Sequence, residues 1–172
     1  MLTRKPISLF DASVLYDLYA DSPTYFAAIG SVPPTLQEVA IDLGQALKDA
    51  QRRLELLYTH SECVGYLDYK LDYPKSKDIT INLLLIPDRC RSQDYDSLAV
   101  QDLESSLQDR FRQVMVGVFA ADRSSERFWV EMGYHFLRDA RPLMCWYAKA
   151  IGAESTASAL DSTQEQEHEL PT

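Results

Sequence analysis

The sequence predicts one α+β domain of six or seven strands and about four helices over residues 1–150, followed by an acidic tail over residues 151–172. Three observations carry this expectation. The apolar period changes from near 3.6 to near 2 after Asp49, and strand and helix patterns then alternate from Asp78 onward. A chain of 172 residues that is 46% hydrophobic, with ten Tyr, six Phe and two Trp, can fill one core without metals or disulfides. The last 22 residues hold five acids (Glu154, Asp161, Glu165, Glu167, Glu169) and no Lys or Arg, which reads as a mobile tail with little apolar surface to bury.

Taken in order, Ile7 to Phe10 reads as a short first strand. Asp11 can cap a helix whose apolar face is Val14, Leu15, Leu18 and Tyr19. SPTYFAAIGSVPP breaks regularity, and Thr35 with Glu38 then forms a capping box before Val39, Leu43, Ala46 and Leu47. Leu54 to Thr59 and Cys63 to Leu71 read as a hairpin, with Gly65 as a bulge or a close packing point. In Asp78 to Ile86, Ile79, Ile81, Leu83 and Leu85 alternate on one face, while Leu84 and Ile86 make the other face partly apolar. That pattern fits a central strand covered on both sides. A helix is expected from Tyr95 or Asp96 to about Phe111, then a strand over 114–119, a helix from Ser124 to Met132 stopped by Gly133, and strands over Tyr134 to Leu137 and Leu143 to Ala148.

Charge and cysteine content narrow the function classes. A net charge of −9, with the 17 basic residues unclustered, argues against nucleic acid as a partner. No segment has the 18 apolar residues needed to span a membrane, and no signal-like apolar region follows the N-terminus. Cys63, Cys90 and Cys145 form no CxxC and cannot all pair, so a reducing, cytoplasmic setting is expected, with Cys63 and Cys145 buried in apolar runs. No metal-binding motif is present. The sequence does not set an oligomeric state and leaves a homodimer open.

The strongest generic site is the crossover from the 78–86 strand into the long helix, because the unpaired N–H groups of a helix start attract phosphate. The loop there, PDRCRSQDYDS over 87–97, has no glycine. At this point the whole pattern resembles the GNAT superfamily of N-acetyltransferases, over roughly Ile7 to Lys149. YFAAIGSVPPTLQE resembles the acceptor-side region of one bacterial subgroup. INLLLIPDRCRSQDYDSLAVQDLE sits where the family has an apolar strand, a Pro and a glycine-rich loop. DRSSERFWVEMGYHF has the spacing of the late family motif and is the most specific of the three. The resemblance implies an αβα layering around a central mixed, mostly antiparallel sheet, with acetyl-coenzyme A as cofactor.

The resemblance also implies a set of binding residues. Main-chain groups at Leu84, Leu85 and Ile86 would pair with the pantetheine arm where the central strands splay. Arg91, Ser92, Gln93, Asp94, Tyr95 and Asp96 fall on the pyrophosphate loop, with Ser92, Asp94 and Asp96 in the places of glycines. Either the backbone still cradles the cofactor while Arg89, Arg91 and Ser92 offset the carboxylates, or Asp94 or Asp96 caps the helix and takes the N–H groups a phosphate would use. In the late motif Asp122 stands for Asn, Ser125 takes the small position, and Trp129 takes an aromatic position that is commonly a proton-donating Tyr. An indole N–H can donate a hydrogen bond but is no usable acid near neutrality, so Trp129 is expected to pack between helix and sheet.

No catalytic residue is assigned from sequence. Glu62, Asp68 and Asp78 are candidates to take a proton from the amine, and Tyr25, Tyr66, Tyr69, Tyr73 and Tyr134 are candidates to line a substrate groove. The implied function is transfer of an acetyl group from acetyl-coenzyme A to an amine of a small molecule or a protein. The rival is a non-catalytic protein of the same fold, an interaction or ligand-sensing module that binds coenzyme A weakly or not at all. A parallel strand pair that splays beside Leu84 to Ile86 favours the resemblance, and an evenly paired one opposes it.

Overall fold

The computed structural model describes residues 1–119, 122–140 and 143–152. Its strands are β1 (Leu2–Pro6), β2 (Arg52–Thr59), β3 (Glu62–Leu71), β4 (Asp78–Leu85), β5 (Gln113–Phe119), β6 (His135–Ala140) and β7 (Met144–Ala150). Its α-helices are α1 (Ala12–Ala20), α2 (Pro23–Ala28), α3 (Leu36–Ala46), α4 (Tyr95–Leu107) and α5 (Arg123–Glu131), with 3-10 turns at Leu9–Asp11 and Asp88–Gln93. The seven strands form one sheet in the order β1-β2-β3-β4-β5-β7-β6. Every pairing is antiparallel except β4 with β5. The α+β class and the mixed, mostly antiparallel sheet are as expected, with one helix more.

That extra helix is α2. Six residues are too few for an apolar period to show, but Pro23 presets the first-turn backbone. The buried Ser22 ahead of it donates its hydroxyl to the Leu18 carbonyl at 2.7 Å. The first strand is also corrected. It runs over Leu2–Pro6 rather than 7–10, because Ser8 and Asp11 close a capping box, Ser8 N–H to Asp11 Oδ2 at 2.8 Å, that turns the chain out of the sheet. Cys63 and Cys145, expected to be buried, are half-buried, Cys90 is buried, and all three are free. The tail beyond Gly152 lies outside the described residues.

Helices cover both faces of the sheet. Leu15, Leu18, Val39 and Leu43 from α1 and α3 meet Leu54, Leu56, Tyr66 and Leu85 on one face. Val100, Leu103 and Leu107 from α4 and Trp129 from α5 meet Leu57, Leu67, Ile79, Ile81, Val114 and Val116 on the other. β4 contributes to both cores through a bulge. Asp68 of β3 pairs with Leu83, but the next residue, Tyr69, pairs with Ile81, so Asn82 is the extra residue. Strict alternation would put Ile79, Ile81, Leu83 and Leu85 on one face. The bulge instead sends Ile79, Ile81, Leu84 and Ile86 to the α4/α5 side, and Leu83 and Leu85 to the α1/α3 side. Gly65 on β3 is the close approach, since an added Cβ would lie 2.7 Å from the Leu85 carbonyl oxygen and 2.7 Å from Ile86 Cδ1, while the bulge beside it falls on Val64, unpaired between Cys63 and Gly65. Among the described residues, no helix is long and apolar enough to cross a membrane.

The start of the parallel pair is clamped. Asp78 is buried and accepts hydrogen bonds from Arg112 Nε at 2.8 Å and Gln113 Nε2 at 2.9 Å. Burial pushes its carboxyl up, yet these two donors hold it below the usual carboxylate range. A depressed carboxyl contributes stability above its unfolded pKa of about 4, and that stability is lost as pH falls through the lower folded value. We therefore expect Asp78→Asn to cost about 1–3 kcal/mol at pH 7. The gap from wild type should narrow as urea unfolding is repeated from about pH 5 downward. A gap that stays constant across that range would show that Asp78 is not held ionised.

Candidate active site

The parallel ladder is only four pairs long, from Asp78↔Gln113 to Ile81↔Val116. Beyond it β4 stays on β3 as far as Leu85 and β5 stays on β7 as far as Phe119, so the two strands part at Asn82 and Gly117. This is the splay that the family resemblance implies. A cleft of about 60 Å³ lies within it, lined by Asn82, Leu83, Leu84 and Gly117. On the α4/α5 side it borders a cavity of about 360 Å³, and on the α1/α3 side a more polar one of about 490 Å³.

The smaller cavity gathers most of the residues expected to bind the cofactor. Leu84, Leu85, Ile86, Arg91, Asp96, Asp122, Ser125 and Trp129 all line it. Ser92, Gln93, Asp94 and Tyr95 do not. The loop forms a 3-10 turn, and Ser92, Gln93 and Asp94 lie exposed on it, while the Tyr95 ring packs on the core and its hydroxyl donates to Gln93 Oε1 at 2.5 Å. Asp94 adopts a left-handed conformation, φ 52°, and its side chain makes no capping bond. Asp96 Oδ1 accepts the Ser97 N–H at 2.8 Å, so one of the two acids takes one helix-start N–H. Arg89 is drawn off to Asp21, Glu62 and the Cys63 carbonyl and does not offset the loop carboxylates at the cavity. Arg91 does reach the cavity, 45% exposed, with Nε at ion-pair distance from Asp88, 2.9 Å.

Asp122 opens α5. Its carboxylate accepts Ser125 N–H at 3.0 Å and the Ser125 hydroxyl at 2.5 Å, the bonds that an Asn or Asp at a helix start makes. Trp129 packs as expected, 5% exposed, edge-on to Phe128 at 5.0 Å and Tyr134 at 4.9 Å between centroids.

On the other side, Tyr19, Tyr25, Tyr66, Asp42, Arg52, Asp68 and Asn82 line the larger cavity. Buried Asp68 is held bidentately by Arg52, at 2.9 and 2.5 Å, and accepts from Asn82 Nδ2 at 2.9 Å, so its oxygens are occupied rather than waiting for a proton. Glu62 sits at the hairpin turn with Arg89, and Asp78 at the start of β4, at the far end of the parallel ladder from the splay. Burial and then the Asp68 charge push the Tyr19 and Tyr66 phenols up, and burial followed by Asp122 does the same to Tyr25. Of the five tyrosines proposed for a groove, Tyr25 and Tyr66 reach it. Tyr69 meets Arg4, Tyr73 is exposed, and Tyr134 is a core residue bonded to Glu104. The Asn82 bulge carried no recognisable sequence signal beyond one polar residue inside an apolar strand. Among the described residues, no group of three or more His, Cys, Asp or Glu side chains is arranged to hold a metal ion.

Because Trp129 fills space between α5 and the sheet, Trp129→Ala should lose about 3–5 kcal/mol in denaturant unfolding, and Trp129→Phe much less. An Ala variant as stable as wild type would contradict this packing role.

No family model matches the sequence, and no curated protein matches it. Solved structures do. An acetyltransferase from Thermus thermophilus is 33% identical, with 87% of this chain and 97% of that one covered and a TM-score of 0.84. The Salmonella typhimurium acetyl transferase that modifies the N-terminal serine of ribosomal protein L7/L12 shares the fold at 13% identity, covering 87% and 95%, with a TM-score of 0.73. A spermidine N-acetyltransferase from Vibrio cholerae, solved with coenzyme A and spermine, does so at 9%, covering 87% and 95%, with a TM-score of 0.69. With the splayed parallel pair in place and 33% identity to the Thermus acetyltransferase over 87% of its length, the chain belongs to the GNAT superfamily of N-acetyltransferases.

Proposed function

We propose that this protein transfers an acetyl group from acetyl-coenzyme A to an amine of a small molecule or a protein. The observation that carries the reading is the splay, which places a donor-side and an acceptor-side cavity on either side of one short cleft. The donor side fits coenzyme A in two respects. Beyond Ile81 the main-chain groups of β4 that face away from β3 have no strand partner, so they can pair with the amides of the pantetheine arm. Arg91 places a half-exposed guanidinium where a pyrophosphate would follow, at the mouth between that edge and the start of α4. Acetyl-coenzyme A supplies the thioester that makes acetyl transfer downhill. The chain's own residues orient it, keep water from the apolar side through Leu84, Phe128 and Trp129, and admit the amine from the polar cavity. The coenzyme A in the Vibrio cholerae structure supports the cofactor, and three free cysteines suit a cytoplasmic setting.

The test is calorimetric titration with acetyl-coenzyme A and coenzyme A, followed by thiol release in the presence of spermidine or of a peptide with an N-terminal serine. We expect one binding site per chain and release with at least one of these amines. Absence of coenzyme A binding would overturn the reading in favour of a non-catalytic GNAT protein.

The acidic loop makes a quantitative prediction. Only Asp96 of the two substituting acids lines the cavity, so it alone should oppose the pyrophosphate, rather than Asp94 and Asp96 together. A like charge a few ångströms away near the surface costs about 1 kcal/mol or more, so Asp96→Asn should tighten coenzyme A binding about fivefold at low salt and less at high salt. Asp94→Gly, at the exposed left-handed position, should leave the affinity within about twofold.

A further inference from the structure

Where the two cavities meet, one residue belongs to both. Among the described residues Tyr25 alone lines the donor-side cavity and the acceptor-side cavity, and it also lines the cleft between them. We propose that Tyr25 is a catalytic residue of the acetyl transfer, donating a hydrogen bond from its hydroxyl to the negative charge that builds on the thioester as the amine attacks. The inference rests on the proposed function.

The donors around the cleft single it out. The Ser125 hydroxyl already donates to Asp122, the Thr24 hydroxyl to Asp88 at 2.5 Å, and the Asn82 amide to Asp68. Trp129 lines the donor-side cavity and the cleft but does not reach the acceptor-side cavity. The Tyr25 hydroxyl makes no hydrogen bond with any described residue, and its ring is fixed edge-on to Phe26 at 5.1 Å. Its helix is tied to the donor loop, since Thr24 N–H and hydroxyl both meet Asp88 Oδ2 and Asp88 N–H meets the Asp21 carbonyl at 2.8 Å. Burial and the Asp122 charge keep the phenol protonated near neutrality, which makes it a standing donor and no base.

The step balances without an added reagent. The amine lone pair forms the C–N bond as the carbonyl π pair moves to oxygen, where Tyr25 donates. Return of that pair breaks the C–S bond, and sulfur leaves with its electrons. The proton lost by nitrogen passes through water to the thiolate, and Tyr25 ends the cycle as it began. A preorganised neutral donor at such a point is worth roughly a hundred- to a thousandfold in rate.

The test uses hydroxylamine, a small neutral nucleophile that needs no fitted acceptor pocket, with acetyl-coenzyme A and release of the thiol as readout. Tyr25→Phe keeps the ring and should lower kcat roughly a hundred- to a thousandfold. Its KM for acetyl-coenzyme A, its calorimetric affinity for coenzyme A and its Tm should stay within error of wild type. An unchanged kcat overturns the inference, and so does a fall in kcat matched by an equal loss of coenzyme A affinity. Wild-type release matched by Tyr25→Phe overturns the role of Tyr25 alone, whereas wild-type protein that binds no coenzyme A, or binds it but releases no thiol above the uncatalysed rate, overturns the parent reading and the inference with it.

Discussion

One extra residue in one strand governs this site. β4 begins locked to β5, with Asp78 holding Arg112 and Gln113, and would continue in register if its pleat were regular. Asn82 breaks the pleat by standing unpaired between Ile81 and Leu83, and it is held there by its amide bond to Asp68. A bulge adds local twist, and twist at a parallel pair already clamped at its other end can only be taken up by divergence. The cleft, the free main-chain edge and the two flanking cavities all follow from that divergence. Asp68 in turn is fixed by Arg52, so an ion pair with its carboxylate buried and its guanidinium half-buried keeps the opening in shape. Removing one partner would leave a buried charge uncompensated, which costs far more than the pair itself contributes.

The same bulge explains which parts of the fold were legible in the sequence. Elements whose periodicity is unbroken, such as α3 with its Thr35–Glu38 box or the β2–β3 hairpin, are readable because pattern and packing agree. β4 reads as a strand but with the wrong face assignment, since alternation of Ile79, Ile81, Leu83 and Leu85 is continuous in sequence and reversed in space after Asn82. A bulge is decided by the register of the partner strand, which no single strand encodes. α2 is hidden for a different reason: its six residues are organised by Pro23, by Ser22 at its start bonding back to Leu18 of α1, and by Asp88 far along the chain.

Candidate site residues divide along the same line. Leu84–Ile86, Asp122, Ser125 and Trp129 lie where the late motif and the central strand imply, because those positions are set by regular elements. The loop from Arg91 to Asp96 is not readable residue by residue. Its conformation is a 3-10 turn fixed by Asp88 and Arg89 reaching to α1, α2 and the hairpin, and these long-range bonds decide that Arg91 and Asp96 face the cavity while Ser92, Gln93 and Asp94 face solvent. Of the two arginines in this loop, the one that matters for an anion is therefore the one with the weaker structural employment, a single rim carboxylate.

That division of labour has a consequence for how the two sides of the site communicate. Asp88 belongs to the loop that follows β4, yet one of its oxygens accepts both Thr24 donors on α2, and its other oxygen, buried without a hydrogen-bond partner, lies at ion-pair distance from Arg91. An anion that draws Arg91 toward itself leaves the Asp88 carboxylate with only α2 to satisfy it. The added charge on those remaining bonds strengthens them, because a hydrogen bond to a less neutralised carboxylate is the stronger one. The helix that carries Tyr25 would thus be held more firmly when the donor side is filled than when it is empty. On the proposed function, ordering Tyr25 in step with the cofactor would spare a conformational cost at the moment of transfer, since its hydroxyl would already be in place when charge develops.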